Sequence, residues 1–93
     1  EPAIDLAILI SIVSSYNDQT VGLSDCFIGE VGLTGEVRRV SRIEQRVNEA
    51  AKLGFTRLIV PAANLDGWEA PAGVEIHGVD NVQQAVRLAF QPR

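Results

Sequence analysis

The chain has few of the residues that build disulfides, zinc sites and membrane spans. Its 93 residues contain one cysteine, one histidine and no methionine. One cysteine excludes an internal disulfide, and no Cys/His spacing suits a zinc site. A single cysteine without a disulfide is typical of a protein in a reducing cytoplasm. The longest apolar stretch, Leu6 to Val13, is much shorter than the ~20 residues of a membrane helix. With no methionine and an opening Glu1-Pro2, the sequence predicts a fragment or processed product of a longer protein.

Positive charge is absent from the first third of the chain. Residues 1–37 carry six acids and no base, whereas residues 38–57 carry six bases against two acids. The net charge of -4 and the pI of about 4.8 argue against a general nucleic-acid binder, but one segment is locally basic. The candidate contact residues in that segment, for DNA or for a neighbouring subunit, are Arg38, Arg39, Arg42 and Arg46. The alternative is a solvated helix face in which Glu49 pairs with Arg46.

The hydrophobic patterning predicts a single α/β or α+β domain over residues 1–93. The predicted order is α-β-β-α-β-β-α. Its elements are a helix from Ala3 to about Ser15, a hairpin of Cys26–Val31 with Glu36–Val40, a helix from Ser41 to Gly54, strands Arg57–Val60 and Val74–Gly78, and a closing helix after Asn81.

Local signals set the expected helix boundaries. The first helix is apolar on nearly every face, which predicts burial on most sides; a strand is the alternative for Leu6–Val13. Ser41 and Glu44 have the spacing of a capping box, and Gly54 is placed to end the second helix in a left-handed cap. Asn81 is the expected cap of the last helix.

One segment carries a family resemblance. Gly29-Glu-Val-Gly-Leu-Thr-Gly-Glu-Val-Arg38 leads into Ser41-Arg-Ile-Glu-Gln-Arg46 and Ala50-Ala-Lys-Leu-Gly-Phe-Thr-Arg-Leu-Ile-Val-Pro61. In residue identity and order these stretches resemble the C-terminal, Lon-protease-like domain of bacterial DNA repair proteins of the RadA (Sms) type. The resemblance covers nearly the whole chain and implies the C-terminal portion of that domain.

The resemblance also implies that peptidase chemistry has been lost. Lon proteases use a Ser-Lys dyad, and the two matching positions here hold Ala3 and Glu44. A methyl group cannot act as the nucleophile, and a carboxylate cannot serve as the desolvated amine base. We therefore expect no catalytic residue in this chain, and Glu44 is explained as a helix-start residue.

The family implies partners and cofactors that lie outside these residues. Its members combine a zinc-finger segment, a RecA-like ATPase core and the Lon-like domain in an ATP-dependent, DNA-stimulated branch-migration helicase. ATP, Mg and Zn are thus expected only in upstream domains, with no cofactor or metal in this chain. The implied partners are single-stranded or branched DNA and further copies in a hexamer, without a membrane. Two alternatives stay open: an active Lon-type Ser-Lys peptidase, and an unrelated small α/β binding module.

Other residues have simpler explanations. Gly29, Gly32 and Gly35 match neither a Walker A loop nor a dinucleotide fingerprint, so they are assigned to hairpin geometry. Cys26 and His77 are the one possible thiol–imidazole pair, and we interpret them as a buried strand cysteine and a solvent-facing strand histidine.

Overall fold

The computed structural model describes residues 2–91, which form a mixed α/β domain with two small sheets. The strands are β1 (Ile4–Asp5), β2 (Asp25–Phe27), β3 (Glu30–Val31), β4 (Val37–Arg38), β5 (Arg57–Pro61) and β6 (Glu75–Val79). The helices are α1 (Leu6–Asn17), α2 (Ile43–Lys52) and α3 (Val82–Phe90), and a 3-10 turn follows β5 at Ala62–Asn64. The α/β class is confirmed, but the strand β1 and the division of the first predicted strand, Cys26–Val31, into β2 and β3 differ from the prediction.

The central element is a parallel sheet in the order β2-β5-β6, covered by helices on both faces. Ile59 faces α1 and α3 within one apolar cluster, whereas Leu58 and Val60 face α2 within a second. All three side chains are fully buried. A strand covered on both faces needs a continuous apolar run instead of an alternating one. The prediction of a short buried strand here is confirmed.

The second sheet is antiparallel, in the order β1-β3-β4. The single predicted strand from Cys26 to Val31 is wrong, because the chain changes sheets at Gly29. That glycine has a φ of 150°, a backbone conformation that side-chain-bearing residues rarely adopt. Before it, the Ile28 N–H donates to the Ile59 carbonyl at 2.9 Å; after it, Val31 pairs with both Ile4 and Val37. One apolar stretch thus supplies a strand to each sheet.

Two predicted helix starts are wrong. The first helix does not begin at Ala3, because Asp5 caps it and its Oδ1 accepts from the Ile8 N–H at 3.2 Å; the strand alternative for Leu6–Val13 is also wrong. The second helix begins at Ile43. Its N-cap is Arg42, in a left-handed conformation with no capping hydrogen bond from its side chain, so the predicted capping box does not form.

The other helix boundaries are confirmed. Gly54 has a φ of 101° and donates its N–H to the Ala51 carbonyl at 3.1 Å, while the Phe55 N–H reaches the Ala50 carbonyl at 3.1 Å. This pair of bonds is a Schellman motif. At α3, the Oδ1 of Asn81 accepts from the Gln84 N–H at 2.9 Å. The end of α2 and the start of α3 both follow from side-chain and backbone chemistry that is local in sequence.

Candidate interaction surface

The predicted arginine cluster divides into two groups in the structure. Arg38 lies on β4, and its Nη2 is 3.1 Å from Oε2 of Glu36. The Thr34 hydroxyl donates to the other oxygen of Glu36 at 2.6 Å. Hydrogen bonds from Thr34 first, then from the Glu36 backbone and Arg38, lower the pKa of Glu36 to about 2. Arg38 therefore belongs to the tip of the β3–β4 hairpin.

The remaining arginines lie together over the outer face of α2. We define the basic surface as Arg39, Arg42, Arg46 and Lys52. Arg39, Arg42 and Lys52 line one open depression. Arg42 and Arg46 line a second depression, which shares Arg42, Gln45 and Glu49 with the first. All four basic residues are exposed. Three of the four predicted arginines, Arg39, Arg42 and Arg46, therefore lie on one surface, and Arg38 does not.

The basic surface is not uniformly positive. Glu44 and Glu49 line the first depression with the bases, and Nε of Arg46 donates to the Ser41 carbonyl at 3.0 Å. The depression measures about 900 Å³, but it is open and lined largely by polar groups, whereas small-molecule sites are mostly apolar and enclosed. The surface suits an extended charged partner better than a small molecule.

The entry to α2 is held by a buried amide. Oδ1 of Asn64 accepts from the Val40 N–H at 2.9 Å, and its Nδ2 donates to the Val40 carbonyl at 2.8 Å. Asn64 is only 5% exposed. Arg42, two residues after Val40, has a φ of 58° and a ψ of 45°. The backbone that carries Arg39 and Arg42 is thus held at Val40 by the buried Asn64 amide and is strained at Arg42.

A second polar cluster lies at the start of the parallel strands. Nη1 of Arg57 donates to Oδ2 of the fully buried Asp25 at 2.9 Å, and Nη2 donates to the Leu88 carbonyl at 3.1 Å. Nε of Arg57 lies 3.6 Å from Oε2 of Glu75, which also contacts Nε2 of His77. The cluster joins all three strands to α3. These bonds explain the cluster as a structural feature that links the strands to one another and to α3.

Cys26 and His77 do not meet. Cys26 pairs in register with Leu58 and Ile76, whereas His77 pairs with Ile59 on the neighbouring rung, so the two side chains point to opposite faces of the sheet. Burial raises the pKa of the Cys26 thiol, and the charge of Asp5 raises it further, which disfavours a reactive thiolate. Cys26 is half-buried instead of fully buried, and His77 is only partly exposed; the two residues form no thiol–imidazole pair in this structure.

The two positions matched to the Lon dyad line different depressions. Ala3 lies beside Leu9, Val31 and Leu33 in an apolar one, and Glu44 lies on the basic surface. Within residues 2–91, no group of three His, Cys, Asp or Glu side chains could hold a metal ion. In the same range, no helix is long and apolar enough to cross a membrane.

Sequence reasoning missed Asn64 and the Asp25–Arg57 pair. Asn64 follows Pro61 in what looks like an ordinary loop, and an asparagine there has no distinguishing local signal. Asp25 and Arg57 are opposite charges at the first positions of two strands. The signal that pairs them is the parallel register, which the sequence alone does not provide.

Comparison with known proteins gives two findings. Residues 2–64 match the family model described as subunit ChlI of Mg-chelatase. The chain is 72% identical over 90 residues to the DNA repair protein RadA of Bacillus subtilis, 59% to that of Halalkalibacterium halodurans and 54% to that of Listeria monocytogenes. Each alignment covers 97% of this chain and 20% of the relative. The chain therefore spans about a fifth of the length of these curated relatives.

Proposed function

The chain belongs to the family described as subunit ChlI of Mg-chelatase, and we propose that it is part of a RadA-type DNA repair protein. The observation that carries the proposal is the 72% identity to the Bacillus subtilis RadA, sustained over 97% of this chain. Identity that high over nearly the whole chain supports a shared role. The finer proposal is a Lon-protease-like domain that has no peptidase chemistry of its own.

The absence of peptidase chemistry rests on two positions. A Ser-Lys enzyme needs a hydroxyl and an amine within hydrogen-bond reach of each other. Ala3 and Glu44 offer neither group, and they line separate depressions. The domain in this proposal acts by binding and by assembly.

The whole protein is proposed to be an ATP-dependent, DNA-stimulated branch-migration helicase of the cytoplasm. ATP, Mg and Zn would be held by parts of it outside this chain. Its partners would be single-stranded or branched DNA and further copies of itself. The chain's own share would be contact with DNA or with a neighbouring subunit.

The basic surface is the proposed contact. Arg39, Arg42 and Arg46 are exposed, and arginine is a frequent donor to phosphate oxygens. Glu44 and Glu49 within the same surface favour the second candidate, an ionic contact with a neighbouring subunit, because interspersed acids repel a phosphate backbone. The two candidates differ in their dependence on DNA and can be separated directly.

Peptidase activity is tested with casein, small peptide esters and a serine-directed phosphonate. We expect no cleavage and no covalent label, because both dyad groups are missing. A label on any residue of the chain, located by mass spectrometry, would refute the non-peptidase proposal. An active Lon-type protease run in parallel shows that the reagents work.

DNA contact is tested by the anisotropy of a labelled single-stranded oligonucleotide over a series of salt concentrations. Changing Arg39 and Arg42 together to Ala should weaken binding and reduce the salt slope by about 0.7 for each lost phosphate contact. The control is Arg87→Ala, because Arg87 is exposed on α3, on the opposite face of the sheet. Unchanged DNA binding with altered self-association would assign the surface to a subunit contact.

A further inference from the structure

The basic surface depends on a residue that carries no charge. Resting on the proposed function, we infer that Asn64 is its positioning residue: the carboxamide fixes the backbone at Val40 and so directs the Arg39 and Arg42 side chains. Asn64 itself is buried and lies at the base of the depression that those arginines line. Its effect on a partner would be exerted through them.

The first support is the completeness of the hydrogen bonding. Asn64 engages both the N–H and the C=O of Val40, at 2.9 and 2.8 Å, across 24 residues of sequence. Paired donor and acceptor bonds to one residue fix the orientation of its peptide groups as well as its distance. Within residues 2–91, no buried side-chain nitrogen or oxygen lacks a partner. Both the oxygen and the nitrogen of the Asn64 carboxamide are engaged in this contact.

The second support is the strain two residues downstream. Arg42 is left-handed, a conformation that costs a residue with a side chain free energy. Such conformations persist only where the surroundings over-determine them. Arg46 restrains the same segment from the other side, since its Nε donates to the Ser41 carbonyl and its N–H to the Arg42 carbonyl at 3.1 Å. Asn64 and Arg46 together hold Arg42 where it would not otherwise stay.

The third support is the way in which Asn64 is itself held. The turn Ala62–Asn64 lies directly against β6 at Gly78. A Cβ at Gly78 would come within 2.6 Å of Leu65 Cδ1 and 3.1 Å of Ala62 Cα. The missing side chain lets the turn approach closely enough for Asn64 to reach Val40. A rigid sheet therefore sets the position of the amide, and the amide sets the entry to α2.

The test compares two Asn→Ala changes on the same surface. Asn64→Ala should weaken oligonucleotide binding by about fivefold to tenfold, the effect of losing about one well-placed charge contact. It should also lower the salt slope by about 0.7, although every arginine is still present. Asn48→Ala, at an exposed position of the same depression, should change neither quantity. A merely structural role for Asn64 would leave the salt slope of the folded protein unchanged.

Nuclear magnetic resonance provides the second readout. In Asn64→Ala the Val40 amide should lose its protection from exchange, and the Arg42 shifts and HN–Hα coupling should leave left-handed values. If Asn64→Ala does not fold by circular dichroism, Asn64→Ser, which keeps one hydrogen-bonding group, should show smaller changes in the same direction.

The outcomes separate this inference from the proposed function. If the Arg39/Arg42 double variant weakens binding and neither folded Asn64 variant does, the positioning role is overturned and DNA contact stands. If the arginine variant binds normally, DNA contact fails. If Arg42 stays left-handed without Asn64, the inference is overturned whatever the affinity.

Discussion

The helices α1 and α2 pack on opposite faces of one parallel sheet, yet their outer faces are chemically opposite. Each buries two residues, Leu6 and Ile10 in α1 and Val47 and Ala50 in α2. The helix α1 has no charged residue at all, and Ile8, Ile12 and Tyr16 are 56%, 53% and 89% exposed. The outer face of α2 carries two acids and two bases.

This difference shows that hydropathy and burial are separate properties. An apolar side chain becomes buried only where another element is present to cover it. The parallel sheet and α3 cover one side of α1, and the stripe from Ile8 to Tyr16 lies on the other. Contiguous exposed apolar residues often mark a contact surface, whereas the charged face of α2 is compatible with water and with ionic partners.

The largest expected effect contrasts two isoleucines of α1. Ile10→Ala should lower the free energy of unfolding by about 2–5 kcal/mol, because Ile10 is 1% exposed within the core. Ile12→Ala, at a 53% exposed position of the same helix, should change it by less than about 1 kcal/mol. Urea unfolding of both variants measures the difference. Equal losses would show that the outer face of α1 is covered in solution, and the contrast with α2 would disappear.

The next effect concerns how the two helices begin. Asp5→Ala should cost about 0.5–2 kcal/mol, because the Asp5 carboxylate caps α1. Ser41→Ala should stay within about 0.5 kcal/mol, because α2 has no side-chain cap. Denaturant midpoints with equal slopes give both values. A loss at Ser41 as large as that at Asp5 would restore the capping box that the sequence predicts.

A smaller effect tests the strained entry to α2. Arg42→Gly should stabilise the domain by about 0.5–1 kcal/mol, since relief of the left-handed conformation exceeds the added flexibility of the unfolded chain. Arg39→Gly removes the same charge at a position where φ is not positive, and it should destabilise the domain by about 0.4–1 kcal/mol. Thermal unfolding distinguishes the two. Destabilisation by Arg42→Gly would show that the arginine side chain itself supports the segment.

The smallest effect is the pH dependence at the hairpin that leads into α2. The pKa of Glu36 is lowered from 4.5 to about 2, chiefly by the Thr34 hydroxyl. Its contribution to stability is therefore present above about pH 4.5 and is lost as the pH falls toward 2. Glu36→Gln should reduce the acid-induced loss of stability in that window. A Glu36 carboxyl that titrates near 4.5 by nuclear magnetic resonance would contradict this network.

Much of the fold was predictable where the signal is local. The Gly54 stop and the Asn81 cap follow from side-chain and backbone geometry within a few residues, and both are confirmed. The break at Gly29 was not predictable, because a run of strand-forming residues does not indicate which sheet each half joins. The start of α1 was missed because Pro2 and Asp5 are both acceptable at a helix beginning, and tertiary pairing of Ile4 with Val31 decides between them.

The charged residues of the candidate site were predictable from the sequence, but the buried contact that holds their backbone was not. The clustering of bases in residues 38–57 is visible in the sequence, and three of the four chosen arginines share a surface. Arg38 and Arg39 are consecutive in an extended segment, so only one of them can join the helix arginines; Arg39 does so, and Arg38 pairs with Glu36 instead. Asn64 depends on a contact across 24 residues, which no local pattern predicts.

The parallel pairing of β2 with β5 has a consequence for how the chain folds as it is made. Asp25 and Arg57 are 32 residues apart in sequence, so β2 has no strand partner until the ribosome has synthesised β5. At about 5–20 residues per second this delay lasts on the order of seconds. The β3–β4 hairpin and α2 can form within that interval, because their contacts are local. Closure of the parallel sheet, and with it the Arg57 tie to α3, is therefore expected to be the last and slowest step.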